Sequence, residues 1–234
     1  MARTRIPTRP GPRFRRAVGL DSPEAPAGGP EDEATRARVL AQSQAWMEAA
    51  VIGLNLCPFA KAVAARGQIR WQLSPARHAE ALLVELVEAL QALAEADPAQ
   101  HDTTLIVHPW VLGRFDDFNA FLGLAEAAIE AAGLRGVLQL AAFHPRWRFA
   151  EHAPSDPAHA SNRAPWPTLH LLREASVARA VVAVPEAATI FQRNIATLRA
   201  LGEPGWQALS SRWLDAVATG TDAARPPAAD DPPV

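Results

Sequence analysis

The feature that most constrains the fold is a spacing. Three short β-rich runs, at residues 68–73, 103–108 and 136–143, are separated by two stretches long enough to be helices. The first stretch follows a Ser74-Pro75 cap and carries Leu82, Leu83, Leu86, Leu90 and Leu93 toward one side. The second starts at Asp116 or Asp117, sets Phe118, Leu122, Ala125 and Ile129 on one face, and stops at Gly133. Strand, helix, strand, helix, strand with crossovers of this length predicts βαβ units and parallel neighbours. The expected fold class is α/β: a small, mainly parallel sheet of three or four strands, flanked by helices, with a helical C-terminal part.

Before the first strand, residues 32–52 predict one helix, with Val39, Trp46 and Ala50 in a stripe and Gly53 to end it. After the third strand comes a Pro-rich loop, 144–167. Helices are then expected near 168–174, after Ser176, and over 186–201 and 204–217. Trp206 and Trp213 on the last of these suit either a core or an interface. The two ends differ from this body. Residues 1–31 are rich in Arg and Pro, and 219–234 in Ala, Pro and Asp; neither offers enough apolar surface to offset the entropy of ordering, so both are expected to be disordered. One domain, 32–218, remains.

Charge separates the same parts. Residues 1–20 hold six arginines and no acid; setting that +6 apart from the net −2 leaves −8 for residues 21–234. An acidic body argues against specific nucleic-acid binding. No apolar signal core follows the arginines and no run reaches membrane-spanning length, so a cytoplasmic protein without a membrane partner is expected. A single cysteine forbids an internal disulfide and suits a reducing compartment.

That cysteine lies in V-I-G-L-N-L-C-P-F-A-K, beside the only lysine: of 23 Lys and Arg, all but Lys61 are arginine. Pro58 favours a helix start, which predicts Cys57 as an N-cap with Lys61 one turn on. A thiol there would be an activated nucleophile, or would simply pack as a small apolar group. The C-P-F-A spelling is also similar to a glutaredoxin site lacking its second cysteine. Two strands end alike, in Val-His108-Pro and Phe-His144-Pro, and ligands of open α/β sheets bind at such carboxyl ends. The loop after His144 carries Asn162 and Arg163, and a helix from 168 would put His170 and Arg173 on one face. Asn162, Arg163 and Arg173 together would make an anion clamp. Cys57, His108, His144, His152, His159 and His170 supply ligand types for zinc or iron, but no tight ligand spacing favours a metal, and no cofactor motif is present.

Four blocks together carry a resemblance: V-I-G-L-N-L-C-P-F-A-K, T-T-L-I-V-H-P, V-L-Q-L-A-A-F-H-P and S-N-R-A-P-W-P-T-L-H-L-L-R-E-A-S-V. In this order they resemble an uncharacterised bacterial family, domain of unknown function 1415, over about residues 35–217. The resemblance implies a small cytosolic protein and carries no activity or cofactor. The family pattern has Ser and Tyr where this chain has Ala164 and Trp166, so those hydroxyls are absent. The matching positions include Asn55, Cys57, Lys61, His108, His144, Asn162, Arg163, His170 and Arg173.

The functional expectation is a crevice at the carboxyl ends of the strands. There His144, Cys57 and His170 would be catalytic, and Lys61, His108, Asn162, Arg163, Arg173 and Asn55 would bind a small anionic substrate for hydrolysis or group transfer. A non-catalytic metabolite- or protein-binding domain is the alternative, and a monothiol redox protein using Cys57 the third. Oligomeric state is not encoded in any motif.

Overall fold

The computed structural model describes residues 25–183 and 189–216. The expected disorder of 1–24 and 219–234 lies outside these residues. Residues 28–31 do not extend the arm. Trp110 donates its indole N–H to the Gly28 carbonyl at 2.9 Å, Arg36 donates to Pro30, and Arg77 pairs with Glu31 at 2.9 Å.

Helix α1 (Glu33–Trp46) begins where Asp32 accepts the Ala34 N–H. It runs directly into a π-helical segment, Met47–Ile52. Gly53 ends that segment by close approach: a Cβ there would lie 2.3 Å from the Ala49 carbonyl oxygen. The left-handed residue is Asn55, at φ 52°, a conformation that Asn tolerates better than most side chains. Short helix α2 (Ala60–Ala65) follows, capped by Phe59 rather than Cys57.

The sheet holds β1 (Ile69–Leu73), β2 (Thr103–Val107), β3 (Leu138–Phe143) and β4 (Thr168–Arg173) in the order β1-β2-β4-β3. Helix α3 (Ala79–Glu95) joins β1 to β2, which pair in parallel as one βαβ unit. Helix α4 (Phe115–Ala131) leads from β2 to β3, but these strands are not neighbours. β4 lies between them, antiparallel to both. The α/β class therefore holds, with a four-stranded mixed sheet, flanking helices and C-terminal helices α5 (Glu174–Ala183) and α6 (Ile190–Leu214).

The segment expected as a helix at 168–174 is β4. Its Leu-rich composition favours a helix, but Leu169 and Leu171 are fully buried on one face while His170 turns to the other. That is a period of two, and the ladder on both sides overrides local propensity. Pro165 and Pro167 hold the approach extended. The expected helix at 186–201 begins, within the described residues, at Ile190; it joins the next one at a kink where Gly202 has φ 65°.

Successive strand residues point to opposite faces. One face packs Ile106, Leu138, Ala142, Leu169 and Leu171 against α3 and α4. The other packs Leu105, Ile69, Trp71 and Phe143 against α1, the π segment and α6. Trp206 and Trp213 of α6 belong to this second layer, 8% and 3% exposed and edge-to-face at 5.4 Å; they are core residues.

Candidate functional site

At the end of β3, Phe143 and His144 part company. Phe143 enters the layer of α1 and α6, 5.0 Å from the Trp46 ring. His144 enters the α4 layer, 5.5 Å from Phe115 and 5.0 Å from Phe118. Candidate functional residues expected to converge are thereby divided between two faces.

On the Phe143 side a cleft of about 340 Å³ opens. Val51 and Leu56 form one wall, Phe143 and Phe149 a second, and Phe191 and Ile195 of α6 a third. Its polar groups are the Cys57 thiol, the Ser161 hydroxyl and the amides of Asn162 and Asn194. No Arg, Lys or His lines it among the described residues. Phe191 is 53% exposed, an apolar side chain at the mouth.

Each polar group is positioned by backbone. The π segment lets one carbonyl, that of Val51, receive both the Leu56 N–H at 2.9 Å and the Cys57 N–H at 3.4 Å. This folds the chain back so that Cys57, half-buried, faces the cleft. From α6, Asn194 donates to the Leu56 carbonyl at 2.8 Å and Arg193 to the Asn55 carbonyl at 3.2 Å. Asn162 ends a 3-10 helix, Pro157–Asn162, begun by the Asp156 side-chain cap. Its side chain donates to the Ala142 carbonyl at 3.0 Å and its own carbonyl receives the His144 N–H at 3.0 Å, stitching the loop to β3. Ser161 donates to Ala158 and to the Asn162 amide oxygen. π segments are rare and recur at functional sites, and here one borders the cleft.

A family model described as "Protein of unknown function (DUF1415)" matches residues 38–208, most of the chain and every element that walls the cleft. The chain belongs to the DUF1415 family. No curated protein and no solved structure matches it. In this DUF1415 chain the geometry sorts the remaining candidates.

His144 is fully buried, and both ring nitrogens meet backbone: Nε2–H faces the Leu112 carbonyl at 3.3 Å, and Nδ1 accepts the Arg146 N–H at 3.0 Å. His108 is likewise buried, stacked on Phe118 at 5.8 Å, with Nδ1–H directed to the Val111 carbonyl at 3.1 Å. Burial lowers each pKa to about 4, so both rings are neutral. Their shared work is to clip the turn 111–112, where Leu112 has φ 57°. Of the expected acid–base group His144 and substrate ligand His108, both ring nitrogens of the first meet backbone, and neither ring lines the Cys57 cleft.

His170 lies on the Phe143 face, its Nε2 2.7 Å from the Thr103 hydroxyl, with its pKa lowered by burial to about 4. Since β4 is a strand, His170 and Arg173 face opposite ways. Arg173 is at the far end of the sheet, paired in register with Leu138 while Thr168 is opposite Phe143. Its guanidinium binds the carbonyls of Leu93, Ala96 and His101, beside Asp102 at 4.0 Å. It caps the carboxyl end of α3. The expected clamp of Asn162, Arg163 and Arg173 is not assembled. Arg163 donates to the Trp147 carbonyl at 3.4 Å, and burial lowers its pKa against the pull of Glu203. Lys61 is exposed on α2, and Asn55 forms the left-handed turn.

The structure thus sets Cys57 and Asn162 on one cleft and the rings of His108 and His144 on the opposite face of the sheet. Ser161, Asn194, Phe149 and Phe191 were missed. Ser161 adjoins Asn162 in the quoted motif, whereas Asn194 and Phe191 sit in a helix whose sequence has no signal beyond amphipathicity. Among the described residues no three His, Cys, Asp or Glu side chains converge as a metal site, and no helix is long and apolar enough to cross a membrane.

Proposed function

We propose that this DUF1415 protein binds a small, largely apolar molecule with one hydrogen-bonding end, in the cleft bordered by Cys57. The single observation that carries this reading is the lining: aromatic and aliphatic walls with a few convergent polar groups, the usual composition of a small-molecule site. Its volume is at the small end of the usual range of roughly 300–1,000 Å³. The Asn162 and Asn194 amide nitrogens are committed to backbone carbonyls, so the acceptors for a ligand hydroxyl or N–H are the Asn194 oxygen and the second lone pair of the Asn162 oxygen, which already accepts from Ser161. An uncharged polar end fits better than an anion, because no cation lines the walls among the described residues. Of the two nucleophile types lining the space among the described residues, the Ser161 hydroxyl is tied to Ala158 and Asn162, so chemistry on the ligand would start at the Cys57 sulfur. The single thiol suits the reducing cytoplasm.

Cys57 also reports occupancy. The rate of its alkylation by N-ethylmaleimide is measured with a panel of C4–C8 aliphatic alcohols and amides. At least one member is expected to slow the reaction saturably in the wild-type chain and to lose that effect in Ile195→Trp, which fills the cleft. If none slows it, or the slowing is equal in Ile195→Trp, the reading is wrong.

A further inference from the structure

On the other face of the sheet, α3 aims Leu82, Leu86, Leu90 and Leu93 into the core. On its flank toward edge strand β1 it carries Ala89 and Ala92 instead. These small side chains leave a second cleft of about 230 Å³ between α3 and β1. Arg70 and Gln72 enter it from β1, and Glu88 from the helix. Its inner end is the buried Thr104 hydroxyl, 2.7 Å from Nε2 of His101.

Arg36, Arg77, Arg114, Arg135 and Arg199 each have a carboxylate within 4 Å. Arg70 and Glu88 share one concavity, yet among the described residues neither has an ion-pair or hydrogen-bond partner. A ligand that complements both groups brings an anion and a cation. It must also be small, because the volume is below that of drug-sized sites.

We propose that this cleft binds a free amino acid or similar zwitterion, its carboxylate on Arg70 and Gln72 and its ammonium group on Glu88. Arginine provides the forked donor that a carboxylate matches. Ala89 and Ala92 leave room for the ligand's carbon skeleton. His101 stands beside the carboxylate position. Burial, Arg70 and Arg173 lower its pKa against Asp102, so a carboxylate arriving at Arg70 will raise it. The site is independent of the Cys57 cleft, which lies across the sheet.

The experiment follows the His101 ring signals by NMR in the full chain while each of the proteinogenic amino acids is added in turn. Acetate and ethylammonium serve as single-charge controls. At least one amino acid is expected to shift His101 saturably, with both controls about tenfold weaker or more. Arg70→Gln and Glu88→Gln should each weaken it by a similar factor, and Ala92→Leu, which fills the cleft without touching a charge, should abolish it. The proposal is overturned if no amino acid produces a saturable shift, if acetate matches the best of them, or if binding survives Ala92→Leu.

Discussion

Neutral histidines buried beside aromatic rings carry a cost that acid exposes. His108 and His144 have folded pKa values of about 4 against an ordinary value of 6.5. Between those values the unfolded chain binds more protons than the folded one. Stability is therefore fully present above about pH 6.5 and falls as pH drops toward 4. Each ring contributes about 1.4 kcal/mol per pH unit inside that window. Urea denaturation at pH 6.5, 5.5 and 4.5 should show this loss, and His144→Gln should make the slope shallower by about one proton. A profile that is flat across the window contradicts the structural role given to both rings. Their position at the ends of β2 and β3 was legible, because His-Pro closes each apolar run. Their burial was not, because it depends on Phe118 of α4 folding over both. The sharing of one cleft by Cys57 and Asn162 was legible only as two separate motifs; it depends on how the π segment turns the chain.

Among the elements, β4 shows most clearly how tertiary pairing decides local structure. Thr168–Arg173 has four helix-compatible residues and was expected to be helical, yet two antiparallel ladders hold it extended. The alternation of Leu169 and Leu171 about His170 was the available signal, short enough to be outweighed by Leu and Arg helix propensity. The change moves Arg173 from a supposed ligand clamp to the end of α3. Arg173→Met should preserve the packing of the stem while leaving three backbone carbonyls and Asp102 without the guanidinium. A loss of about 3 kcal/mol is expected in urea denaturation, as for a buried pair with one partner removed. Protection of Cys57 from alkylation should be unaffected. If stability is unchanged, Arg173 is not the cap described and its expected anion-binding role stands again.

For the molecule as a whole, the sheet is a partition. The crossover logic of β1, α3, β2, α4 and β3 was readable from spacing, and the α/β class follows from it. What spacing does not contain is the insertion of β4 between β2 and β3, or the assignment of each strand residue to a face. Those depend on where the 24 residues of loop and short helix at 144–167 return the chain after Phe143. The result is two layers with different contents. The α3–α4 layer buries His108 and His144 and leaves a charged cleft at its edge. The α1–α6 layer surrounds an apolar cleft with one thiol. The central claim is that the Cys57 cleft of the second layer takes the largely apolar ligand and that the strand-end histidines serve structure. The most direct measurement is an NMR shift map of the protein saturated with the alcohol or amide that best protects Cys57. The account predicts shifts concentrated at Val51, Cys57, Phe143, Asn162, Phe191 and Asn194, with the His108 and His144 ring signals unmoved. Shifts centred on those two histidines would contradict it.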